Sequence, residues 1–283
     1  MEIMKIGVLG AGQMGAGIAQ IAASKGYVVV LRDIKQEFCD NAIAKMKAGF
    51  DKRVAQGKET RASVNETMRN LSTTVDLEDM RDCDLVIEAV PEIFELKKST
   101  FKELGRTCRS DAILCTNTSS MSVTEITSEC AHPERCAGMH FFFPVAAMRL
   151  VEIIRGKETS DATVDAIKAV SVGMGKTPVL CRADTPGFIV NRCLFAFMLE
   201  AIHCYEDGIA SIEDIDTAVK LGLNHPLGPF EMMDMSGLDT FPHVCDTLQS
   251  LPVTDWSTPE SVKKLLANGR LGRKNGHGWH DYE

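Results

Sequence analysis

The sequence predicts an α/β fold in which a mostly parallel sheet carries helices on both faces and is followed by a smaller all-helical domain. Three observations predict it. Short β-branched runs alternate with helical segments from the start of the chain to Cys181, the order that builds parallel sheets. The first alternation turns through a glycine-rich stretch, Gly10 to Gly15. Beyond Asp184 no β-rich run occurs, and apolar segments of helical character take over. A boundary is expected near 184/185, giving 1–184 as the sheet domain and 185–283 as the helical one. The chain's 283 residues suit two ordinary domains.

The opening "MKIGVLGAGQMGAGIAQIAASKGYVVVLRD" changes period from β-rich to helical and back, so it reads strand, helix, strand, with Gly26 stopping the helix. Lys35 to about Gly57 is an amphipathic helix, "STTV" a short strand, and "CDLVIEAV" (Cys83 to Val90) a buried strand. Pro91 stands where a helix would start. "AILCT" (Ala112 to Thr116) is the next strand, followed by the polar loop Asn117-Thr118-Ser119-Ser120 and a short helix from about Ser122. "CAGMHFF" and "RLVEII" are strands, Asp161 to Gly175 a helix, and "PVLC" a strand.

In the second domain Thr185-Pro186 has the form of an N-cap followed by proline, opening a long helix from Gly187 to about Glu206 that Gly208 ends. Ser211 to Asp214 is an acidic variant of the capping box, before a helix that ends at Gly222. Thr258-Pro259 starts a further helix in the same way as Thr185-Pro186.

Bulk properties narrow the partners. The net charge is −8 and no run of Lys or Arg occurs, so the electrostatic footprint of a nucleic-acid binder is missing. The ten cysteines form no CxxC pair, which fits neither a zinc site nor a secreted disulfide framework. They read as small core residues in a reducing compartment. Residues 6–31 imitate a signal-peptide core, but glycines and two glutamines interrupt the run and Arg32-Asp33 ends it. No stretch reaches the roughly 20 uninterrupted apolar residues of a membrane span, and a cytoplasmic location is expected.

Gly10-Ala11-Gly12-Gln13-Met14-Gly15 is a GxGxxG motif. It follows a predicted strand and opens a predicted helix, and the acidic Asp33 stands at the end of the second strand. Those contexts point to a Rossmann-type dinucleotide fold. Gly10 allows the tight turn, Gly12 the approach of the pyrophosphate, and Gly15 close helix–strand packing, with the helix N-terminus facing the phosphates. Asp33 would accept from a ribose 2′-hydroxyl and repel a 2′-phosphate, favouring NAD over NADP. Arg32 beside it is either a solvated charge or a cofactor contact.

In "GMHFFFPVAAMRLVEIIRG" two apolar runs each hold one ionisable residue, His140 and Glu152. A lone His on an apolar strand is more often a hydrogen-bonded core residue than a catalyst. A carboxylate on the following strand changes the balance, because each group would satisfy the other's buried polar atoms. A Glu that accepts from one imidazole nitrogen sets the tautomer and leaves the other to act as a base near neutral pH. An oxidoreductase acting on an alcohol needs such a base.

The chain resembles the short-chain L-3-hydroxyacyl-CoA dehydrogenases, the bacterial 3-hydroxybutyryl-CoA dehydrogenases above all. The resemblance runs over essentially the whole length: "GAGQMGAGIAQ", "VVLRDI", "CDLVIEAV", "NTSSMSVTEI", "MHFFFPVAAMRLVEIIRG", "DTPGFIVNR", "SIEDIDTAVKLGLNHPLGPFE" and "LGRKNGHGW". It implies that His140 is the general base on the 3-hydroxyl, that Glu152 orients it, and that Ser119 and Asn191 hold the reacting end of an acyl-CoA substrate. Ser119 is implied as a cofactor contact too, along with Glu92, Lys97 and Lys274. It further implies an active site in the cleft between the domains, closed by the helical one, and a homodimer or higher homo-oligomer built through that domain. For the CoA portion Lys52 and Lys58 are candidates, or simply solvated positions.

The chain departs from the family in three places: Phe143 replaces the Asn of HFFNP, a residue near the nicotinamide; Pro91 is unusual at its position; and Trp279 and His280 replace two aromatic positions of the closing motif. Phe143 motivates the alternative of a dinucleotide-binding homologue with impaired catalysis. A further alternative is a dehydrogenase of another hydroxyacyl-CoA or of a free hydroxy acid.

Overall fold

β1 (Lys5–Leu9), α1 (Gln13–Ser24) and β2 (Val28–Arg32) form the opening unit of the chain. The computed structural model describes residues 2–249, 251 and 256–282. α2 (Gln36–Ala55) is followed by α3 (Arg61–Arg69), which the sequence reading passes over. Its Thr60 cap accepts from Ser63 N at 3.2 Å. α3 buries only Val64 and Thr67, so its apolar stripe is too thin for periodicity to reveal.

The chain continues through β3 (Leu71–Thr74), β4 (Leu85–Glu88), α4 (Phe94–Thr107), β5 (Ile113–Thr116), α5 (Val123–Ile126), β6 (Cys136–Phe141), β7 (Leu150–Ile154), α6 (Asp161–Gly173) and β8 (Thr177–Cys181). α4 starts three residues later than Pro91 suggests. Ile93 N donates to Pro91 O at 2.7 Å, a tight turn that leaves Ile93 extended and keeps Glu92 off the helix.

The eight strands form one sheet in the order β3-β2-β1-β4-β5-β6-β7-β8. Every neighbouring pair is parallel except β6 and β7, which run antiparallel. The strand order reverses between β1 and β4, the place where doubly wound sheets open a ligand crevice beyond their carboxyl ends. Side chains alternate between two cores, as the period of a strand requires. Ile6, Val8, Val29, Leu31, Leu85 and Ile87 join Ile18, Ala19 and Ala22 of α1 on one face. Leu9, Val30, Val86 and Leu114 join Phe101 and Leu104 of α4 on the other.

The chain divides into two compact units, Met1–Thr185 and Pro186–Glu283. The second contains α7 (Val190–Glu206), α8 (Ile212–Gly222), α9 (Pro229–Ser236), α10 (Phe241–Leu248) and α11 (Glu260–Ala267). Phe230, Met233, Leu238, Trp256 and Val262 are in its core. Two helix starts differ from expectation. Gly187 and Phe188 have φ of 73° and 50°, a left-handed path that no helix continues, so α7 begins at Val190 and Thr185 caps nothing. Pro259, extended at φ −59° and ψ 150°, is the N-cap of α11 in place of Thr258. The Ser211 cap forms as expected, accepting from Asp214 N at 3.1 Å.

All ten cysteines are unbridged thiols, eight of them buried. Burial pushes Cys83 up to about 11, as suits an inert core residue. Among the described residues no helix is long and apolar enough to cross a membrane.

Candidate active site

The glycine loop lies at the end of β1, and contacts explain two of its glycines. Gly10 has φ 98°, and a Cβ there would lie 2.4 Å from Ala89 O; a Cβ at Gly15 would lie 1.8 Å from Gly10 O. A Cβ at Gly12 would meet nothing within 4 Å. Ala11 and Gly12 lead into Gln13 and Met14, the first residues of α1, and no side chain caps that helix. An open backbone face, uncapped helical amides and the sheet's switch point together fit a dinucleotide pyrophosphate. Asp33 follows β2. Its Oδ2 accepts from Ala11 N at 2.6 Å and its Oδ1 from Ile34 N at 2.6 Å, so the acidic residue and the loop are joined directly. Arg32 Nε donates to Val75 O at 3.2 Å.

A second group gathers at the carboxyl ends of β4 and β5. Glu92 Oε1 accepts from Ser119 N at 3.0 Å and Ser120 Oγ at 3.4 Å, and also from the Thr118 hydroxyl. Its Oε2 pairs with Lys97 Nζ at 3.1 Å. Burial pushes the Glu92 carboxyl up, but Lys97, Thr118 and the Ser119 N–H outweigh it and hold it below the ordinary value. Glu92, Lys97 and Ser119 are therefore brought together. Lys97 is 1% exposed and also bonds Glu88 Oε1 at 2.8 Å, a partner the sequence reading overlooks.

The third group is the pair. Antiparallel pairing of β6 and β7 sets His140 directly opposite Glu152, and His140 Nδ1 lies 2.9 Å from Glu152 Oε2. They are 6% and 1% exposed. A buried carboxylate this close fixes Nδ1 as the nitrogen that carries the hydrogen and leaves Nε2 with the lone pair. Asn117 ties the polar loop to this strand: its N donates to Glu88 O at 2.8 Å and its Oδ1 accepts from Phe141 N at 2.9 Å. Beyond β6, Lys176 Nζ donates to Met148 O at 2.7 Å and to Val145 O, anchoring the connection to β7. Phe143, on that connection, is 58% exposed.

Two expected residues lie in the helical unit. Asn191 is on the first turn of α7. Lys274 pairs with Asp239, and that pairing holds Asp239 below its ordinary value. Lys52 and Lys58 are exposed. The closing motif is pinned by Asp234, which accepts from Trp279 N at 2.7 Å, His280 N at 2.9 Å and Tyr282 Oη at 2.9 Å. His280 Nε2 in turn lies 2.8 Å from Asp216 Oδ2, which accounts for a histidine where an aromatic is usual.

A doubly wound sheet with this loop, this acidic residue and a buried His–Glu pair defines a nicotinamide-dependent oxidoreductase. Comparison with known proteins narrows the class. Residues 5–185 match the model of the 3-hydroxyacyl-CoA dehydrogenase NAD binding domain, and residues 187–282 that of the 3-hydroxyacyl-CoA dehydrogenase C-terminal domain. The chain belongs to the 3-hydroxyacyl-CoA dehydrogenase family, oxidoreductases that act on a CH–OH group with NAD. It is 42% identical over 280 residues to a probable 3-hydroxybutyryl-CoA dehydrogenase of Deinococcus radiodurans, covering 99% of this chain and 100% of that one. A 3-hydroxybutyryl-CoA dehydrogenase of Clostridioides difficile is 41% identical, with 99% of each chain covered. The crystal structure of (S)-3-hydroxybutyryl-CoA dehydrogenase from Ralstonia eutropha superposes with a TM-score of 0.95 at 37% identity, covering 100% of both chains.

Proposed function

We propose that the protein interconverts short (S)-3-hydroxyacyl-CoA and 3-ketoacyl-CoA thioesters, 3-hydroxybutyryl-CoA and acetoacetyl-CoA foremost, and that His140 is its acid–base residue. The observation that carries the assignment is the buried 2.9 Å contact of His140 with Glu152. NAD bound at the glycine loop would supply the hydride acceptor, or as NADH the donor.

The chain's own residues do the rest. Glu152 holds Nδ1, so His140 takes the proton of the 3-hydroxyl at Nε2 as the substrate is oxidised, and returns it when the ketone is reduced. Ser119 and Asn191 hold the reacting oxygen. Gly10 to Gly15 cradle the pyrophosphate and Asp33 accepts from the ribose. Glu92, Lys97 and Lys274 are the other residues that the resemblance assigns to the cofactor. Phe143, where the motif of the family it resembles has Asn, changes the surface that the resemblance places near the nicotinamide. The division at 184/185, self-association through the helical unit and a cytoplasmic location belong to the same proposal.

The test is NADH oxidation with acetoacetyl-CoA and, separately, free acetoacetate, repeated with NADPH. Turnover confined to acetoacetyl-CoA with NADH is expected, together with a loss of roughly 10² to 10⁴ in H140Q at retained NADH binding. Equal use of free acetoacetate would remove the thioester assignment, and wild-type turnover in H140Q would remove the base.

A further inference from the structure

Glu88, at the carboxyl end of β4, is 0% exposed and has no part in the chemistry above. A carboxylate so placed is costly unless every oxygen is answered, and here each is. Oε1 accepts from Lys97 Nζ and from Val90 N, both at 2.8 Å. Oε2 accepts from Thr116 Oγ1 at 2.7 Å.

The ammonium of Lys97 is as fully engaged. It has three N–H bonds and three protein acceptors: Glu88 Oε1 at 2.8 Å, Val90 O at 3.3 Å and Glu92 Oε2 at 3.1 Å. At 1% exposure it holds two carboxylates together and presents almost nothing outward.

From Glu88 two routes run to the same loop. One passes through the Thr116 hydroxyl, which accepts from Thr118 N at 3.2 Å. The other passes through Lys97 to Glu92, which takes the Thr118 hydroxyl and the Ser119 N–H. The routes close into a ring at Thr118, so Glu88 grips the polar loop from both sides. Removing its charge alone would leave Lys97 to draw on Glu92, and removing Lys97 alone would set two carboxylates against each other.

We propose that Glu88 and Lys97 are positioning residues that hold Glu92, and through it the 117–120 loop and Ser119, in the register the reaction needs. The inference rests on the assignment of Ser119 to the substrate, and it has Lys97 act through Glu92.

The test is a mutant cycle on the full chain, reading kcat and KM for acetoacetyl-CoA, NADH affinity by fluorescence, and the thermal midpoint. E88Q/K97M removes both buried charges at near-constant volume. Its expected kcat loss is about 10- to 10²-fold, with a folded protein; NADH affinity is read on E88Q, which keeps the cofactor-assigned Lys97 in place and should bind NADH within a few-fold of wild type. E92Q should lose a similar amount, and the triple variant should lose no more than the worse of the two, since all three residues act along one route. A merely structural role would instead give losses that multiply. Turnover within about twofold of wild type in E88Q/K97M, or multiplying losses, would overturn the proposal. If the pair variant is not recovered folded, E88Q alone, which keeps the side chain's shape, is read in the same cycle against the same limits. S119A separates the two levels of the argument. An impaired S119A beside an active E88Q/K97M refutes the positioning role alone, whereas an active S119A removes the substrate assignment and this inference with it.

Discussion

Replacing Glu152 by Gln leaves shape and volume nearly unchanged and removes one buried charge from beside His140. The bond at risk spans 2.9 Å between groups 6% and 1% exposed. A hydrogen bond to a charged group contributes about 1.5–3 kcal/mol against about 0.5–1.5 for a neutral pair. The imidazolium therefore loses roughly 1–2 kcal/mol of stabilisation in E152Q, a factor of about 5 to 30 in any step that forms it. Burial argues for the upper end, since little water screens the pair. The assay is acetoacetyl-CoA reduction by wild type and E152Q, followed by NADH absorbance, with NADH affinity measured beside it. Turnover should fall by that factor while NADH affinity is retained. Turnover equal to wild type would refute the pairing as the support of proton transfer. Lost turnover with a matching loss of NADH affinity would mean that Glu152 only holds the strand.

Three further perturbations test other parts of the molecule. D33A removes both the Ala11 N–H acceptor and the expected ribose contact, so NADH affinity should fall at least about tenfold while NADPH affinity falls less; equal losses would separate Asp33 from cofactor choice. F143N restores the family residue at an exposed position, and a change confined to NADH affinity or turnover, at constant thermal midpoint, is expected; no change in either shows that the departure is neutral. Asp84 is buried, which raises its carboxyl, but the N–H groups of Lys5 and Met4 and the Arg109 guanidinium hold it below its ordinary value of 3.8. Its contribution to stability is complete above that value and is lost as pH falls through the lower folded one, so the thermal midpoint of D84N should fall less steeply with acid than that of wild type.

The sheet was legible because its strands are short, β-branched and bounded by turn residues, and the pair was legible because a charge inside Leu-Val-Glu-Ile-Ile demands a partner. The same reasoning applied to Leu-Val-Ile-Glu would have singled out Glu88, another carboxylate ending an apolar run. Its partner Lys97 was hidden by looking like an ordinary helical surface lysine. Thr116, Asn117 and Thr118 could not be assigned either, since the partners that define them, the Glu88 and Glu92 carboxylates and the backbone of β4 and β6, are far away in sequence. The helix starts at Val190 and Glu260 differ from expectation because Thr-Pro signals a cap only where the following backbone angles permit one; Phe188 with φ 50° and Pro259 with ψ 150° do not.

The reversal of β7 has a consequence for how this protein can change. His140 and Glu152 sit on one hairpin, in pairing that runs from Gly138 with Ile154 to Phe141 with Val151. Their alignment is set by that ladder rather than by the exposed residues of the connection, such as Phe143. The connection can therefore diverge in sequence, as Phe143 already does, while the proton-handling pair keeps its spacing.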